Sequence, residues 1–102
     1  MNIRIAIVDD KQQNRSTLRD GLGASESLQI VMLAKNGKDF LDRMKLLNAE
    51  ERPQVVLMDI EMPEMDGISA VTAAKILYPD VNFLMLTIFD DEDKIFEAIR
   101  CG

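Results

Sequence analysis

The sequence contains no histidine among its 102 residues. This absence excludes imidazole metal ligands, a histidine general base, and the Ser/His and Cys/His pairs of nucleophilic enzymes. The single cysteine, Cys101, cannot form a disulfide within the chain, which is typical of proteins in a reducing compartment. We therefore expect a cytoplasmic location. Any chemistry of this chain must depend on side chains other than histidine.

Basic clusters and long apolar runs are also missing. Eighteen acidic residues outnumber twelve basic ones, which gives a net charge of −6. Proteins that bind nucleic acid directly present positive surfaces, so we expect no direct contact with DNA. No apolar run approaches the roughly 20 residues that cross a bilayer, and the N-terminus lacks the pattern of a secretion signal. We therefore expect no membrane contact.

Apolar runs alternate with amphipathic segments along the whole chain, whose length suits one domain. Short apolar runs predict four strands, at Ile3–Val8, Leu28–Ala34, Val55–Met58 and Val81–Thr87. Helical spacing and capping residues predict helices at Gln12–Gly23, Lys38–Leu47, Ile68–Leu77 and from Asp90 onward. Strands that are apolar throughout and separated by helices predict a doubly wound α/β fold, with a parallel sheet covered on both faces.

Polar side chains stand at the ends of three predicted strands. Asp9 and Asp10 follow the first strand, Asp59 follows the third, and Thr87 ends the fourth. In open α/β sheets, ligands bind at the carboxyl ends of the strands, where the strand order reverses. If the first and third strands are neighbours, the three carboxylates converge at one edge of the sheet.

Three converging carboxylates repel one another and need a counter-ion. Oxygen ligands of this kind suit Mg²⁺, which would also hold an incoming phosphoryl group. One carboxylate could then act as the nucleophile and form an aspartyl phosphate, with the Thr87 hydroxyl as a donor to a phosphoryl oxygen. Turn formation or helix capping explains each of these motifs alone. The combination of the three motifs at strand ends favours phosphoryl transfer to an aspartate.

The sequence strongly resembles the receiver domain of two-component response regulators over residues 1–102. The resemblance is carried by "IAIVDD" at Ile5–Asp10, "VVLMDIEMPEMDG" at Val55–Gly67, "FLMLT" at Phe83–Thr87, and the Asn36-Gly37 pair before the second helix. The segment from Leu86 to Gly102 is most similar to receivers of the NarL/LuxR type, which carry a C-terminal helix-turn-helix domain. The resemblance therefore implies a role in transcription regulation, with DNA reached only through an output domain outside this chain.

The resemblance implies a role for each matching site residue. Asp59 would be the phosphoacceptor and Thr87 the switch hydroxyl. Asp10 would bind Mg²⁺ directly, Asp9 directly or through water, and Glu61 through its backbone carbonyl. The partner that donates the phosphoryl group would be a phosphohistidine on a sensor histidine kinase. The family fold is flavodoxin-like, with strand order 2-1-3-4-5.

The sequence departs from the family pattern at its C-terminal end. Four of the five βα units are present, which predicts the order 2-1-3-4, and the fifth strand, the lysine at its end and the fifth helix are missing. We therefore regard the receiver domain in this chain as incomplete at its C-terminus. Because the missing helix would leave apolar surface and a strand edge exposed, we expect homodimerisation or another form of self-association.

These observations predict a phosphorylation-dependent signalling switch, and not an enzyme that turns over a separate substrate. Two alternatives stay open. The first is a Mg²⁺-dependent phosphohydrolase with an aspartyl nucleophile, although Asp59-Ile60-Glu61 only approximates its usual Asp-x-Asp signature. The second is a receiver-like interaction domain that is never phosphorylated, which the missing lysine favours.

Overall fold

The computed structural model describes residues 2–59, Met62, Met65 and residues 67–86. Strands and helices alternate in the order β1 (Ile3–Val8), α1 (Gln12–Gly23), β2 (Leu28–Ala34), α2 (Gly37–Lys45), β3 (Val55–Asp59), α3 (Gly67–Leu77) and β4 (Asn82–Leu86). The helix predicted from Asp90 onward lies outside the described residues. Within residues 2–59 and 67–86, no helix has the length and hydropathy needed to span a membrane.

The four strands form one sheet in the order β2-β1-β3-β4, and every neighbouring pair is parallel. The predicted parallel sheet and the order 2-1-3-4 are therefore confirmed. Val8 of β1 lies opposite Met58 of β3, and Asp59 lies opposite Leu86 of β4. The carboxyl ends of these three strands consequently finish level at one edge of the sheet.

Both faces of the sheet carry an apolar core, as expected for a doubly wound fold. Ala6 and Val8 of β1 pack on one face with residues of α2 and α3. Ile5 and Ile7 pack on the opposite face with Leu18 and other residues of α1. Alternate side chains of β1 thus enter different cores, which explains why residues 5–8 of the strand are all apolar.

β4 departs from the expectation of a strand that is buried throughout. It begins at Asn82, whose side chain is exposed, and residues 83–85 are only partly buried. Among the described strands β4 lies at the end of the sheet order, so it has only one strand neighbour there. An apolar run in the sequence therefore overestimated the burial of this strand.

Helix α2 is displaced toward the N-terminus relative to its predicted bounds. It begins at Gly37 because the Asn36 side chain caps it: Asn36 Oδ1 accepts a hydrogen bond from Asp39 N at 2.7 Å. This bond satisfies an amide that has no acceptor within the helix. The helix ends at Lys45, two residues before the predicted Leu47, because the next two amides bond three residues back, as in a 3₁₀ turn.

Gly37 lies where α2 approaches α3 most closely. A Cβ atom at this position would lie 2.8 Å from Ala70 Cβ and 3.0 Å from the carbonyl oxygen of Met65. Neither group is the flexible end of a side chain, so a larger residue can be accommodated only by moving one helix. The glycine of the Asn36-Gly37 pair is thus required by the packing of two helices.

We predict that Gly37→Ala lowers the free energy of unfolding by about 1–3 kcal/mol, because the added methyl group overpacks this contact. The matched control is Gly23→Ala, where nothing lies within 4 Å of the added atom. Because alanine favours helix over glycine, the control should be neutral or more stable by up to about 1 kcal/mol. Urea denaturation of both variants tests the prediction, and equal effects would contradict it.

Candidate functional site

Three acidic side chains converge at the carboxyl edge of the sheet. Asp9 follows β1 and Asp59 ends β3, so the parallel pairing of these strands places the two residues side by side. Asp10 completes the group. One carboxylate oxygen from each of the three residues lies within 4.8 Å of the others. The structure therefore brings together the three carboxylates that the sequence predicted would converge.

Asp9 is the buried member of this acidic cluster, with only 3% of its surface exposed. Its Oδ1 accepts a hydrogen bond from the backbone amide of Lys11 at 2.9 Å, and its Oδ2 accepts one from Asn14 Nδ2 at 3.3 Å. Arg15 Nη1 donates to the backbone carbonyl of Asp9 at 2.7 Å. These bonds offset the cost of burying a carboxylate and fix its orientation.

Asp10 and Asp59 have more contact with solvent than Asp9. The side chain of Asp10 is exposed, and that of Asp59 is partly buried at the tip of β3. The β3 residues that precede Asp59 are buried on both faces of the sheet, so the strand holds its backbone firmly. The cluster thus contains one fixed carboxylate and two that a ligand can reach from solvent.

The acidic cluster fits a small divalent cation. Octahedral Mg²⁺ with ligands at about 2.0–2.1 Å places neighbouring ligand oxygens about 3.0 Å apart and opposite ones about 4.2 Å apart. Oxygens that already lie within 4.8 Å of one another need only small shifts to reach this arrangement. Asp9, Asp10 and Asp59 could therefore hold the ion. Glu61 and Thr87, which complete the predicted site, lie outside the described residues.

Asn14 and Arg15 also contact the site, which the sequence did not predict. Both lie in the first turn of α1, directly after the Asp9-Asp10 pair. Only their position in the sequence could have indicated this contact. The first turn of a helix that directly follows two acidic residues must pass close to their carboxylates. Polar residues at helix starts are common, so this signal alone is weak.

Comparison with known proteins gives a family match over nearly the whole chain. Residues 5–102 match the model of the response regulator receiver domain. The chain is 34% identical over 100 residues to the uncharacterized transcriptional regulatory protein YhcZ of Bacillus subtilis, covering 98% of this chain and 45% of YhcZ. The chain thus spans less than half the length of this relative.

Solved receiver structures have the same fold. The response regulator domain of CheB from Thermotoga maritima is 31% identical, with a TM-score of 0.75, and the match covers all of this chain and 74% of that one. The signal receiver domain of NarL from Mycobacterium tuberculosis is 26% identical, with a TM-score of 0.72, over 99% of this chain and 78% of that one.

We predict that Asn14→Ala lowers the free energy of unfolding by about 1 kcal/mol, because the buried carboxylate of Asp9 loses a hydrogen bond. Alanine favours helix over asparagine, so a loss of stability cannot come from helix propensity. The control is Gln13→Ala, since Gln13 is the exposed neighbour in the same turn and should change stability by less than about 0.5 kcal/mol. Equal losses in urea denaturation would contradict the role assigned to Asn14.

Proposed function

The chain belongs to the response regulator receiver domain family, and from this membership we propose that it is a phosphorylation-dependent switch in which Asp59 accepts the phosphoryl group. The observation that carries the proposal is the convergence of Asp9, Asp10 and Asp59 at the carboxyl edge of the sheet. We propose a different role for each carboxylate, because the three differ in burial and hydrogen bonding.

Asp59 is the proposed nucleophile. It stands at the tip of a strand whose four preceding side chains are buried, and its own side chain is partly accessible. A carboxylate oxygen attacks the phosphorus of a phosphohistidine on a sensor histidine kinase. As the new O–P bond forms, the N–P bond of the donor breaks and its electron pair returns to the imidazole, which leaves an aspartyl phosphate on this chain.

Asp9 and Asp10 are the proposed binding residues for Mg²⁺, together with Asp59 and the backbone carbonyl of Glu61. When bound, this ion neutralises charge on the phosphoryl oxygens and orients the group for transfer. Asp10 is exposed and can contact the ion directly. Each oxygen of Asp9 accepts one hydrogen bond and keeps a further lone pair, so we assign Asp9 a contact with the ion either directly or through water. We also propose that the Thr87 hydroxyl donates to the phosphoryl group.

The proposed output is control of transcription. YhcZ is a transcriptional regulatory protein by name, and this chain covers 45% of its length. We propose that this receiver regulates a DNA-binding domain outside the present chain, and that it acts in signalling and not as an enzyme with a separate substrate. Association of two receivers is a further part of the proposal, because β4 is an edge strand among the described residues.

We predict one phosphoryl adduct per chain after incubation with Mg²⁺ and phosphoramidate, a small donor with the same N–P bond as phosphohistidine. Intact-mass spectrometry measures the adduct. Asp59→Asn should carry none, because its amide is a poor nucleophile, whereas the control Asp42→Asn should be labelled like the unmodified chain. Asp42 is an exposed acid on α2, remote from the cluster in the sequence.

Two outcomes of the labelling experiment, and one of a separate phosphatase assay, would contradict the proposal. An adduct that persists in Asp59→Asn would place the phosphoryl group elsewhere. No adduct on the unmodified chain, together with clear Mg²⁺ binding, would favour the interaction domain that is never phosphorylated. Continuous release of phosphate from many small phosphate esters would favour the phosphohydrolase.

We predict opposite effects of Asp10→Asn with and without Mg²⁺. Removing one charge relieves repulsion within the acidic cluster, so the variant should be more stable than the unmodified chain in EDTA. A ligand at 100 times its Kd stabilises the native state by about 2.7 kcal/mol, and the variant should lose most of this gain. Thermal unfolding with and without Mg²⁺ measures both effects. If Mg²⁺ stabilises Asp10→Asn and Asp42→Asn equally, Asp10 does not bind the ion.

A further inference from the structure

A pocket lies at the amino edge of the sheet, opposite the acidic cluster. It has a volume of about 240 Å³, and its walls include Arg4 at the start of β1, Arg52 in the loop before β3, and Tyr78 in the loop before β4. The five residues of β3 separate the two edges, and a strand of this length spans roughly 13–17 Å. This amino-edge pocket is therefore distinct from the proposed phosphorylation site.

Two guanidinium groups at the amino-edge pocket have no acidic partner among the described residues. The ion pairs within the described residues join Arg19 to Asp20 and Arg43 to Asp39, and none of these four residues lines the pocket. The Arg4 side chain donates a hydrogen bond from Nε to the backbone carbonyl of Arg52, at 2.8 Å. Two arginines at one pocket give it a local positive charge in a chain whose net charge is −6.

Arg52 is held in place but its hydrogen-bonding capacity is not met. Its guanidinium carbon lies 4.8 Å from the centre of the Tyr78 ring, a cation–π contact that fixes the plane of the group. Its Nε is buried and has no hydrogen-bond partner in the part of the chain that the structure describes. Buried donors without acceptors are rare in native proteins, and an ordered water or a bound ion commonly accounts for them.

The loop that carries Arg52 is ordered by hydrogen bonds to the strands on either side. Gln54 Oε1 accepts from Arg4 N at 3.0 Å, and Gln54 N donates to Arg4 O at 2.8 Å. Asn82 N donates to Gln54 O at 3.0 Å, and the amide of Arg52 donates to Asn48 O at 3.1 Å. The amino-edge pocket is consequently preformed, so a ligand would not have to order it.

We propose that the amino-edge pocket binds a small monocarboxylate with a short apolar body. The planar fork of a guanidinium matches the two oxygens of a carboxylate. Buried Pro53, exposed Leu77 and the ring of Tyr78 provide an apolar wall beside the arginines. The pocket is smaller than the roughly 300–1,000 Å³ of sites for drug-sized ligands, which favours a compact molecule.

The charge of the surroundings distinguishes a carboxylate from phosphate. Asp80 also lines the pocket, and the chain as a whole is acidic. Both repel a dianion more strongly than a monoanion. Phosphate in addition offers no apolar group to contact Pro53 and Leu77. A monocarboxylate should therefore bind more tightly than inorganic phosphate. This proposal does not depend on phosphorylation of Asp59.

Tyr78 provides a direct probe of the pocket, because it is the only tyrosine and the chain has no tryptophan. The first experiment is a fluorescence titration of the unmodified chain with 3-methylbutanoate, which does not absorb in the tyrosine region. We expect a saturable change with this acid, none with 3-methylbutan-1-ol, and a weaker response to inorganic phosphate. No saturable response, or equal responses to the acid and to phosphate, would overturn the proposal.

Three variants locate the binding. Arg4→Gln and Arg52→Gln should each weaken binding by about tenfold or more, because each removes charged hydrogen-bond donors. Asp80→Asn should strengthen binding by removing a competing charge. The control Arg19→Gln, an exposed arginine on α1, should leave the affinity unchanged.

Since Arg52→Gln also alters the surroundings of Tyr78, binding to every variant is measured in parallel by calorimetry, with circular dichroism as the check on folding. If Arg52→Gln fails to fold, Arg4→Gln and Asp80→Asn still decide the question. Unchanged affinity in these two variants would overturn the proposal.

Discussion

The parallel pairing of β1 with β3 is the constraint on which the rest of the site depends. It places Val8 opposite Met58, so the residues that follow, Asp9 and Asp59, must lie side by side although their charges repel. The strands cannot slide apart, because both faces of each are packed against apolar cores. Packing energy thus maintains an arrangement of charge that the carboxylates alone would not adopt, and a bound cation would be stabilised by relieving their repulsion.

Identical side chains acquire different properties at this edge because their surroundings differ. Asp9 is buried and accepts hydrogen bonds at both oxygens, from the Lys11 amide and from Asn14. Asp10 is the next residue, yet its side chain is exposed. The start of α1 causes the difference, since its first turn folds back over Asp9 and leaves Asp10 outside. One acid therefore stabilises the geometry, and the other remains available to exchange water for a ligand.

The sequence alone predicted those parts of the structure that follow from local pattern. The bounds of β1, α1 and β2 came from apolar runs and glycines, and the convergence of the acids came from their place at strand ends. The contact of Gly37 with Ala70, the hydrogen bond from Asn14, and the stacking of Arg52 on Tyr78 could not be predicted in this way. Each depends on the distance between elements far apart in the chain. The partial exposure of β4 has the same origin, since burial depends on what covers a strand.

The two ends of the sheet carry opposite local charge on the same pair of strands. β1 runs from Arg4 toward Asp9, and β3 runs from the Arg52 loop to Asp59. A ligand at one edge could influence the other only by favouring a different arrangement of these strands or their helices. The register of β1 and β3 is fixed by side chains that are buried on both faces, so such an arrangement would cost core packing. A ligand bound at one edge should therefore leave the affinity of the other edge unchanged.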